Sequence, residues 1–253
     1  MDTDYDRIAG QYKQAKLQPW RTHAECYTFL RLVGDVTGKA VLDLACGEGY
    51  YTRRLRQRGA ARVVGVDLSH GMIELARAQE AQAPLGIEYR IEDVKRLALT
   101  EQFDLVVAAY LLNYAQTGEE MLEMCRAIAG ALKPGGRFVT VNSYPDQIPG
   151  HSSEGRAYGY LARVCEELKE GTPVVWTFFL GDGSIEVTNY YLSVPTMEEV
   201  FRKAGLSAVR WHAPEVSPEG VVEFGSDHWA NFLKHPPVTF IECVKGERGA
   251  SAP

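Results

Sequence analysis

Asp43, Gly47 and Gly49 are spaced so that one short segment could hold a small ligand. Asp43 lies near the end of an apolar run, and the two glycines follow it in a turn. Glycine lets the backbone pass close to a ligand, because a side chain there would obstruct it. Asp67 ends the next apolar run, twenty residues after Gly47. The spacing therefore predicts a binding site at the carboxyl ends of two strands.

The turn differs from the glycine fingerprint of dinucleotide-binding proteins. That fingerprint has a third glycine, and Thr52 stands at its position. Asp43 would also add negative charge where a pyrophosphate has to sit. A cationic or zwitterionic ligand fits this charge better than a dinucleotide does. Asp67 alone does not distinguish the two, because a carboxylate at its position can accept hydrogen bonds from ribose hydroxyls in both cases. A nicotinamide-dependent oxidoreductase is the alternative that tight NADH binding would support.

Short apolar segments alternate with longer amphipathic stretches between residues 39 and 141, which is typical of βαβ units and a parallel sheet. The five strands predicted there are Lys39–Leu44, Arg62–Asp67, Ile87–Ile91, Phe103–Ala108 and Arg137–Asn142. A helix is predicted over residues 119–132, before Lys133-Pro-Gly-Gly. Further on, we predict strands at 185–192, 208–212 and 238–244, with a helix that opens on a capping box at Thr196.

Two segments outside this pattern could cover a pocket. Residues 1–20 are a polar arm with Tyr5, Tyr12 and Trp20, and residues 22–36 are predicted as a helix, so that residues 1–36 would form a lid. A pocket lid is favoured, and the alternative is that these aromatic residues simply cover apolar surface. Residues 143–183 break the alternation and are predicted as an insertion that contributes to the substrate pocket. Its aromatic residues are Tyr144, Tyr158, Tyr160, Trp176, Phe178 and Phe179.

The composition is that of an ordinary globular protein, with 45% hydrophobic and 24% charged residues, and predicts a single domain over residues 1–253. A net charge of -6 disfavours nucleic acid as a partner, because phosphate binding relies on clustered lysine and arginine. No apolar run approaches the ~20 residues of a membrane helix. The acidic amino end is unlike a secretory signal. We therefore expect a cytoplasmic monomer or homodimer without a membrane partner.

The five cysteines are scattered along the chain without a CxxC pair. Reduced thiols are expected in place of a disulfide framework, and no metal site is predicted. Cys46 lies inside the glycine turn but has no neighbouring histidine in the sequence, so we interpret it as a packing residue.

Residues 36–142 resemble the class I S-adenosylmethionine-dependent methyltransferases. The motif that carries the resemblance is Val41-Leu-Asp-Leu-Ala-Cys-Gly-Glu-Gly-Tyr, with Ala45 in place of the usual first glycine. The resemblance implies an α/β, Rossmann-like, seven-stranded, mostly parallel sheet with helices on both faces and an antiparallel last strand. The arm Tyr5-Asp-Arg-Ile-Ala-Gly-Gln-Tyr is similar to that of natural-product methyltransferases, such as those of the toxoflavin pathway.

The same resemblance implies S-adenosylmethionine as the cofactor and assigns roles to the residues that match. Asp43 would face the amino group of the cofactor, Asp67 its ribose and Asp93 its adenine. The implied cofactor-binding residues are Tyr12, Asp43, Ala45, Gly47, Gly49, Asp67, Leu68, Met72, Asp93, Val94 and Ala109. Two alternatives stay open, because Asp67 also suits a helix cap and Asp93 also suits a loop facing water.

The predicted reaction is an in-line transfer of a methyl group to nitrogen or oxygen, or less readily carbon, of a small aromatic or heterocyclic metabolite. Alignment and desolvation can supply most of the catalysis, so a dedicated base is optional. If a base is needed, Tyr110, Tyr114 and His228 are the candidates by position. His151 and His212 are further histidines that could serve as a base. Alternatives are a regulatory protein that binds the cofactor without catalysis, or an enzyme acting on a macromolecule.

Overall fold

The central strands of the main sheet are apolar on both faces, as expected for parallel strands covered by helices on each side. In the computed structural model, which describes residues 5–145, 155–164, 167–181 and 183–247, Val41, Leu42 and Leu44 are fully buried. The strands are β1 (Ala40–Leu44), β2 (Arg62–Asp67), β3 (Glu88–Ile91), β4 (Phe103–Ala109), β5 (Leu132–Ser143), β6 (Tyr160–Val164), β7 (Pro173–Leu180), β8 (Gly183–Tyr190), β9 (Leu206–His212) and β10 (Val238–Lys245).

Seven of these strands form one sheet in the order β3-β2-β1-β4-β5-β10-β9. The first five pair in parallel, and β10 runs antiparallel to both of its neighbours. The predicted fold class, including the antiparallel last strand, is confirmed. The strand order reverses between β1 and β4, and in open α/β sheets ligands bind in the crevice beyond the carboxyl ends at such a point.

The helices lie between and after these strands. They are α1 (Tyr5–Ala15), a π-helical turn (Arg21–Cys26) that continues into α2 (Tyr27–Val33), α3 (Tyr50–Gln57), α4 (His70–Gln82), α5 (Gly118–Ala131), α6 (Val194–Lys203), α7 (Pro218–Phe224) and α8 (Ser226–Lys234). Short 3-10 turns cover Val94–Arg96, Leu112–Tyr114 and Arg156–Tyr158. None of the helices in the described part of the chain is long and apolar enough to cross a membrane.

Side chains on the two faces of the main sheet belong to separate apolar cores. The site-side core includes Val41, Val107 and Tyr51, together with residues of α2 and of the second sheet. The far-side core includes Leu42, Val106 and residues of α5 and α6. Neighbouring residues of one strand fall in different cores because side chains of a strand alternate between its faces.

The insertion predicted after β5 contains a second sheet that the sequence pattern did not reveal. Strands β6, β7 and β8 form a three-stranded antiparallel sheet, so the strand predicted at 185–192 pairs within this unit. Gln18 joins the amino-terminal segment to it, since its Nε2 donates to the carbonyls of Gly159 at 2.8 Å and Phe179 at 3.2 Å. The two segments predicted to cover a pocket therefore contact each other.

Two local predictions need correction. Residues 5–15 of the predicted polar arm form the helix α1. Thr196 was expected to begin α6, but the cap is Ser193, whose hydroxyl accepts a hydrogen bond from the amide of Thr196. The proline at position 195 explains the difference, because proline is favoured in the first turn of a helix and the cap must precede it.

Candidate active site

Asp43 is a buried carboxylate at the carboxyl end of β1. It is 1% exposed, and the hydroxyl of Thr52, in the first turn of α3, donates to its Oδ2 at 2.6 Å. Burial raises the pKa of Asp43 to about 7, and the hydrogen bonds from Thr52 offset this only in part. A cationic group bound next to Asp43 would restore its negative charge, so the position suits a ligand with an ammonium group.

The turn after β1 has a backbone conformation that glycine normally provides. Gly47 and Gly49 have φ angles of 56° and 88°, and Ala45 has a φ of 54° although it carries a Cβ. A left-handed non-glycine residue costs roughly 1–2 kcal/mol, so this position is strained. A Cβ added at Gly47 would meet only the sulfur of Met72 at 4.0 Å. The space beside Gly47 is therefore open toward Met72.

Asp67 binds the glycine turn from the end of β2. Its Oδ2 accepts from the amide of Gly47 at 2.7 Å, and its Oδ1 accepts from the amide of Ser69 at 2.9 Å. The residue that caps α4 is Ser69, whose hydroxyl accepts from the amide of Met72. The alternative of a helix cap at Asp67 is therefore wrong. Burial raises the pKa of Asp67, against the lowering effect of the amide hydrogen bonds.

The residues expected around the adenine differ in their surroundings. Met72 is 2% exposed and Val94 is buried, whereas Leu68 is 69% exposed beside Asp67. Asp93 is half-buried and caps the 3-10 turn that follows it, because its Oδ1 accepts from the amide of Lys95 at 2.9 Å. The local capping role of Asp93 is thus visible, and its contact with adenine stays a prediction.

Helix α1 lies across the loop that follows Asp67. The carboxylate of Asp6 accepts from the hydroxyl of Ser69 at 2.5 Å and from the amide of Gly71 at 2.8 Å. The hydroxyl of Tyr5 is hydrogen-bonded to that of Tyr114, and the ring of Tyr5 packs edge-on against Tyr12. One helix therefore contacts both the loop beyond β2 and the residues beyond β4.

A buried ionic cluster, formed by Lys16, Arg21 and Glu25, lies next to these tyrosines. Lys16 Nζ and Arg21 Nη1 lie 3.4 Å and 2.8 Å from the carboxylate of Glu25, which is fully buried. The hydroxyls of Tyr51 and Tyr110 also donate to it. Burial alone would raise the pKa of Glu25, but the two cations and the hydroxyls hold it below its ordinary value.

Sequence reasoning missed this ionic cluster. The available signal was the four-residue spacing of Arg21 and Glu25, which places opposite charges on one face of a helix. The surrounding sequence offered little to distinguish them from a solvated pair on the surface. The sequence pattern identified Thr52 only as the residue at the third glycine position of the dinucleotide fingerprint. It did not predict the hydrogen bond that Thr52 donates to Asp43.

An aromatic cavity lies beyond the carboxyl ends of β4 and β5, under the second sheet. The space between its protein atoms is about 350 Å³ when the part open to solvent is included. The residues that line it are Tyr12, Trp20, Arg21, Tyr110, Tyr114, Ser143, Trp176, Phe178, Val187, Asn189, Pro237 and Val238. Small-molecule sites are typically concave and mostly apolar, with a few polar groups placed among aromatic residues. The aromatic lining of the cavity therefore suits a small planar molecule.

Of the three candidates for a catalytic base, the structure brings two together. Tyr110 and Tyr114 both line the cavity, and Ala109 precedes them at the end of β4. Burial and the charge of Glu25 raise the pKa of Tyr110, and burial also raises that of Tyr114, so both phenols stay protonated at neutral pH. Tyr110 has a left-handed φ of 68°, and strained backbone of this kind occurs often at functional sites.

The structure places His228 elsewhere. Its ring lies on α8, stacked on Phe224 and edge-on to Trp229, outside the set of residues that line the cavity. His212 is half-buried on β9, and His151 lies outside the described residues. Within the described ranges, no group of three or more His, Cys, Asp or Glu side chains is arranged to hold a metal ion.

The residues at the ends of β1 and β2 fit a cofactor with an ammonium group and a ribose. Asp43 would face the ammonium group, and Asp67 the ribose hydroxyls. The open space beside Gly47 could admit the cofactor backbone. The hydroxyl of Tyr89 is also buried beside Gly49 and has no hydrogen-bond partner within the part of the chain that the structure describes. Asp43 thus offers an anionic partner, the space beside Gly47 offers room for the ligand, and Tyr89 offers an unpaired hydroxyl.

Replacement of Asp67 by asparagine tests the ribose assignment. We expect the dissociation constant for S-adenosylhomocysteine to rise about 10- to 100-fold, because a hydrogen bond to a charged group contributes about 1.5–3 kcal/mol. Isothermal titration calorimetry measures the change, and a thermal melt checks that the glycine turn has kept its fold. A rise of threefold or less in a folded variant would show that Asp67 only orders the turn.

Comparison with known proteins gives matches along most of the chain. Residues 41–136 match the family model described as a methyltransferase domain. The chain is 29% identical over 223 residues to a demethylmenaquinone methyltransferase of Lactococcus lactis, which covers 83% of this chain and 81% of that protein. It is 27% identical over 171 residues to an N-demethylindolmycin N-methyltransferase of Streptomyces griseus, covering 67% of this chain and 70% of that protein.

A third relative matches over a shorter stretch. A ubiquinone biosynthesis O-methyltransferase of Coxiella burnetii is 36% identical over 108 residues, which is 42% of this chain. The match covers 44% of that protein, less than half of its length.

Solved structures share the fold at low sequence identity. The CcbJ methyltransferase of Streptomyces caelestis superposes with a TM-score of 0.69 at 19% identity, over 97% of this chain and 98% of that one. A complex of DhpI with SAH superposes with a TM-score of 0.59 at 22% identity, over 96% and 94% of the two chains. At these identities the likeness establishes the fold, with the strand order described above.

Proposed function

We propose that this chain, which matches a methyltransferase domain and methyltransferase relatives, uses S-adenosylmethionine to methylate a nitrogen or oxygen atom of a small aromatic or heterocyclic metabolite. The observation that carries the proposal is the aromatic lining of the cavity beyond the carboxyl ends of β4 and β5. Planar rings of the acceptor would pack against Trp20, Trp176 and Phe178, since aromatic pairs add stability beyond the area they bury.

The names of the relatives support this choice of atoms and of substrate size. One is called an N-methyltransferase of N-demethylindolmycin, another an O-methyltransferase of ubiquinone biosynthesis. A macromolecular acceptor is disfavoured by the net charge of -6 and by the cover that the second sheet and the amino-terminal segment place over the cavity. We extend the proposal to a role in the biosynthesis of natural products, as the similarity of the arm suggests.

The cofactor, when bound, supplies a methyl group already activated by a sulfonium. During transfer the acceptor–carbon bond forms as the sulfur–carbon bond breaks, and the electron pair of that bond remains on sulfur as S-adenosylhomocysteine leaves. The chain's own contribution is to align the acceptor and exclude water, and alignment of two reactants can lower a barrier by about 7–11 kcal/mol. We expect Tyr12, Tyr110 and Tyr114, which line the cavity, to orient the acceptor.

The cavity supplies no evident base for the reaction. Its titratable lining side chains among the described residues are Tyr12, Tyr110, Tyr114 and Arg21, and burial favours the protonated form of Tyr110 and Tyr114. Arg21 remains cationic at all physiological pH values. The attacking atom of the acceptor must therefore be nucleophilic as it binds, either as an anionic oxygen or as an uncharged nitrogen.

Label tracing tests the proposed function directly. The purified protein is incubated with methyl-labelled S-adenosylmethionine and a fractionated cell extract, and label is counted in small molecules, protein and nucleic acid. We expect label in a small molecule, which mass spectrometry then identifies. Label in protein or nucleic acid would overturn the substrate class. Tight cofactor binding with no transfer from extracts of several sources would favour a regulatory protein that binds the cofactor without catalysis.

A further inference from the structure

Arg21 is held in the cavity wall by aromatic rings on its faces. The guanidinium carbon lies 4.6 Å from the ring centre of Trp20, 4.7 Å from that of Phe178 and 5.3 Å from that of Tyr110. A guanidinium stacked in this way can donate hydrogen bonds only in its own plane, at its edges. Its orientation is therefore fixed, and its free edge offers a directed binding site.

One edge of the guanidinium is used by the protein and the other is not. Nη1 donates to Glu25 at 2.8 Å and to the hydroxyl of Tyr110 at 3.4 Å. Nε is buried and has no hydrogen-bond partner in the described ranges. Nη1 is the donor of both hydrogen bonds that this side chain makes there. An unsatisfied buried donor is unfavourable, and more so when it belongs to a charged group. The Nε–Nη2 edge is the pair of donors that binds a carboxylate in bidentate fashion.

A second unpaired donor lines the same cavity. The indole Nε1 of Trp176, on β7, is buried and has no hydrogen-bond partner among residues 5–145, 155–164, 167–181 and 183–247. The ring of Trp176 stacks on Phe178 at 6.5 Å, and Phe178 in turn packs on the guanidinium of Arg21. Two buried donors without acceptors among the described residues thus line one cavity, each on a side chain that packs on Phe178.

The charges in the wall also call for an anion. The buried ionic cluster holds two cations, Lys16 and Arg21, and one carboxylate, Glu25, which leaves an excess of one positive charge. The other buried carboxylates of the site, Asp43 and Asp67, lie at the cofactor residues of β1 and β2. Excess charge in a buried place is costly unless a partner of opposite sign is bound.

From these observations we propose that the acceptor is an anion, an aromatic or heterocyclic molecule with a carboxylate that binds the Nε–Nη2 edge of Arg21 and accepts a further hydrogen bond from Trp176 Nε1. This inference rests on the proposed function, because it names the chemistry of the acceptor of that same site. The carboxylate would orient the ring of the acceptor between the aromatic side chains and set which of its atoms faces the cofactor.

Equilibrium binding of two matched probes tests the proposal without turnover. Benzoate and benzamide have nearly the same shape and differ in charge, and their binding to the protein saturated with S-adenosylhomocysteine can be measured by calorimetry. We expect benzoate to bind at least about tenfold more tightly than benzamide, the gain of one charge-assisted hydrogen bond. Equal binding, tighter binding of benzamide or no benzoate binding up to the millimolar range would each overturn the proposal.

Variants then locate the site. Arg21→Gln should weaken benzoate about 10- to 100-fold and change benzamide less than about threefold. Arg163→Gln is the matched control, because Arg163 is exposed on β6 of the same small sheet, outside the cavity lining. Trp176→Phe, which removes only the indole donor and keeps an aromatic ring, is a second variant should Arg21→Gln fail to fold. If folded Arg21→Gln still preferred benzoate over benzamide, the assignment of Arg21 would be contradicted. If Trp176→Phe kept the full benzoate preference of the wild type, the assignment of Trp176 would be contradicted.

The outcome is separable from that of the proposed function. Benzoate selectivity that depends on Arg21, together with label found only in macromolecules, would retain the anion site and overturn the small-molecule acceptor. Label in an uncharged small molecule, without benzoate selectivity, would retain the function and overturn the anionic acceptor.

Discussion

Asp43→Asn is expected to weaken binding of S-adenosylmethionine about 100-fold and, at the same time, to stabilise the protein without cofactor above pH 7. The loss of affinity follows from the removal of one partner of a buried pair of opposite charges, which costs about 2–5 kcal/mol. The gain in stability follows from the pKa of Asp43, which burial raises to about 7 in the folded protein. The side chain can keep the hydrogen bond from Thr52, because the amide oxygen of asparagine accepts it.

The sign of the pH dependence can be worked out from that pKa. A carboxyl with a folded pKa above its unfolded value favours folding while it is protonated, and this contribution is lost as pH rises from about 4 to about 7. The cofactor-free variant should therefore exceed the wild type in stability by about 1–3 kcal/mol at pH 8 and match it near pH 4. Cofactor binding to the wild type should weaken as pH falls below 7, with uptake of the ammonium group linked to release of a proton.

Chemical denaturation at both pH values and calorimetry in buffers of different ionisation enthalpy measure these quantities. Asp104→Asn is the matched control, because Asp104 lies on β4 away from the turn and accepts from Lys133 at 2.7 Å and the amide of Ala40 at 2.8 Å. Burial would raise the pKa of Asp104, but these contacts hold it below its ordinary value, so the control should lose stability at pH 8. Unchanged cofactor affinity in Asp43→Asn would refute the assignment of Asp43.

Glu25→Gln is expected to lower the free energy of unfolding by about 3–5 kcal/mol, because it leaves two buried cations without their carboxylate. For a chain of this size the corresponding loss in Tm is about 6–20 °C. The pKa of Glu25 is held below its ordinary value by the cluster, so its contribution is present above that ordinary value and lost as pH falls through the folded pKa. The difference between variant and wild type should therefore be largest at neutral pH and shrink in acid.

A double variant separates unpaired charge from lost packing. Arg21→Met together with Glu25→Gln removes one cation with the carboxylate and leaves Lys16 as the remaining cation of the cluster. The double variant should be less destabilised than the sum of the single ones. Glu186→Gln is the control, since Glu186 forms an exposed ion pair with Arg163 at 3.8 Å and such pairs contribute about 0–1 kcal/mol. A loss below about 1 kcal/mol in Glu25→Gln, or strictly additive losses, would contradict the account of the cluster.

The main sheet could be predicted from the sequence because each of its strands leaves a local pattern. Phe103–Ala108 and Arg62–Asp67 are examples of short apolar runs, and the second ends at an acidic residue. The number and spacing of such runs indicate a parallel sheet. The second sheet was not predicted, because its strands are stabilised mainly by pairing with one another. Pairing between strands is a tertiary interaction that a local pattern does not encode.

The residues on the cofactor side of the site could be predicted from their spacing in the sequence. Those on the acceptor side could not. Asp43 and Asp67 lie at the carboxyl ends of two consecutive predicted strands, so their proximity could be inferred from the ends of adjacent strands. The cavity combines Tyr12, Arg21, Tyr110 and Trp176, which come from distant parts of the chain. His228 was considered as a base from its sequence position, but its ring lies in a separate aromatic cluster on α8.

Each of the two apolar cores contains two cysteines, whose reaction rates can report on the face of the main sheet where they lie. Cys26 and Cys46 belong to the site-side core, and Cys125 and Cys243 to the far-side core. All four are buried, with pKa values raised by burial, so each reacts with an alkylating reagent only when its own surroundings open. In a Cys165→Ser background, cofactor binding should slow alkylation of the first pair and leave the second pair unchanged, which would show that the two faces of one sheet fluctuate independently.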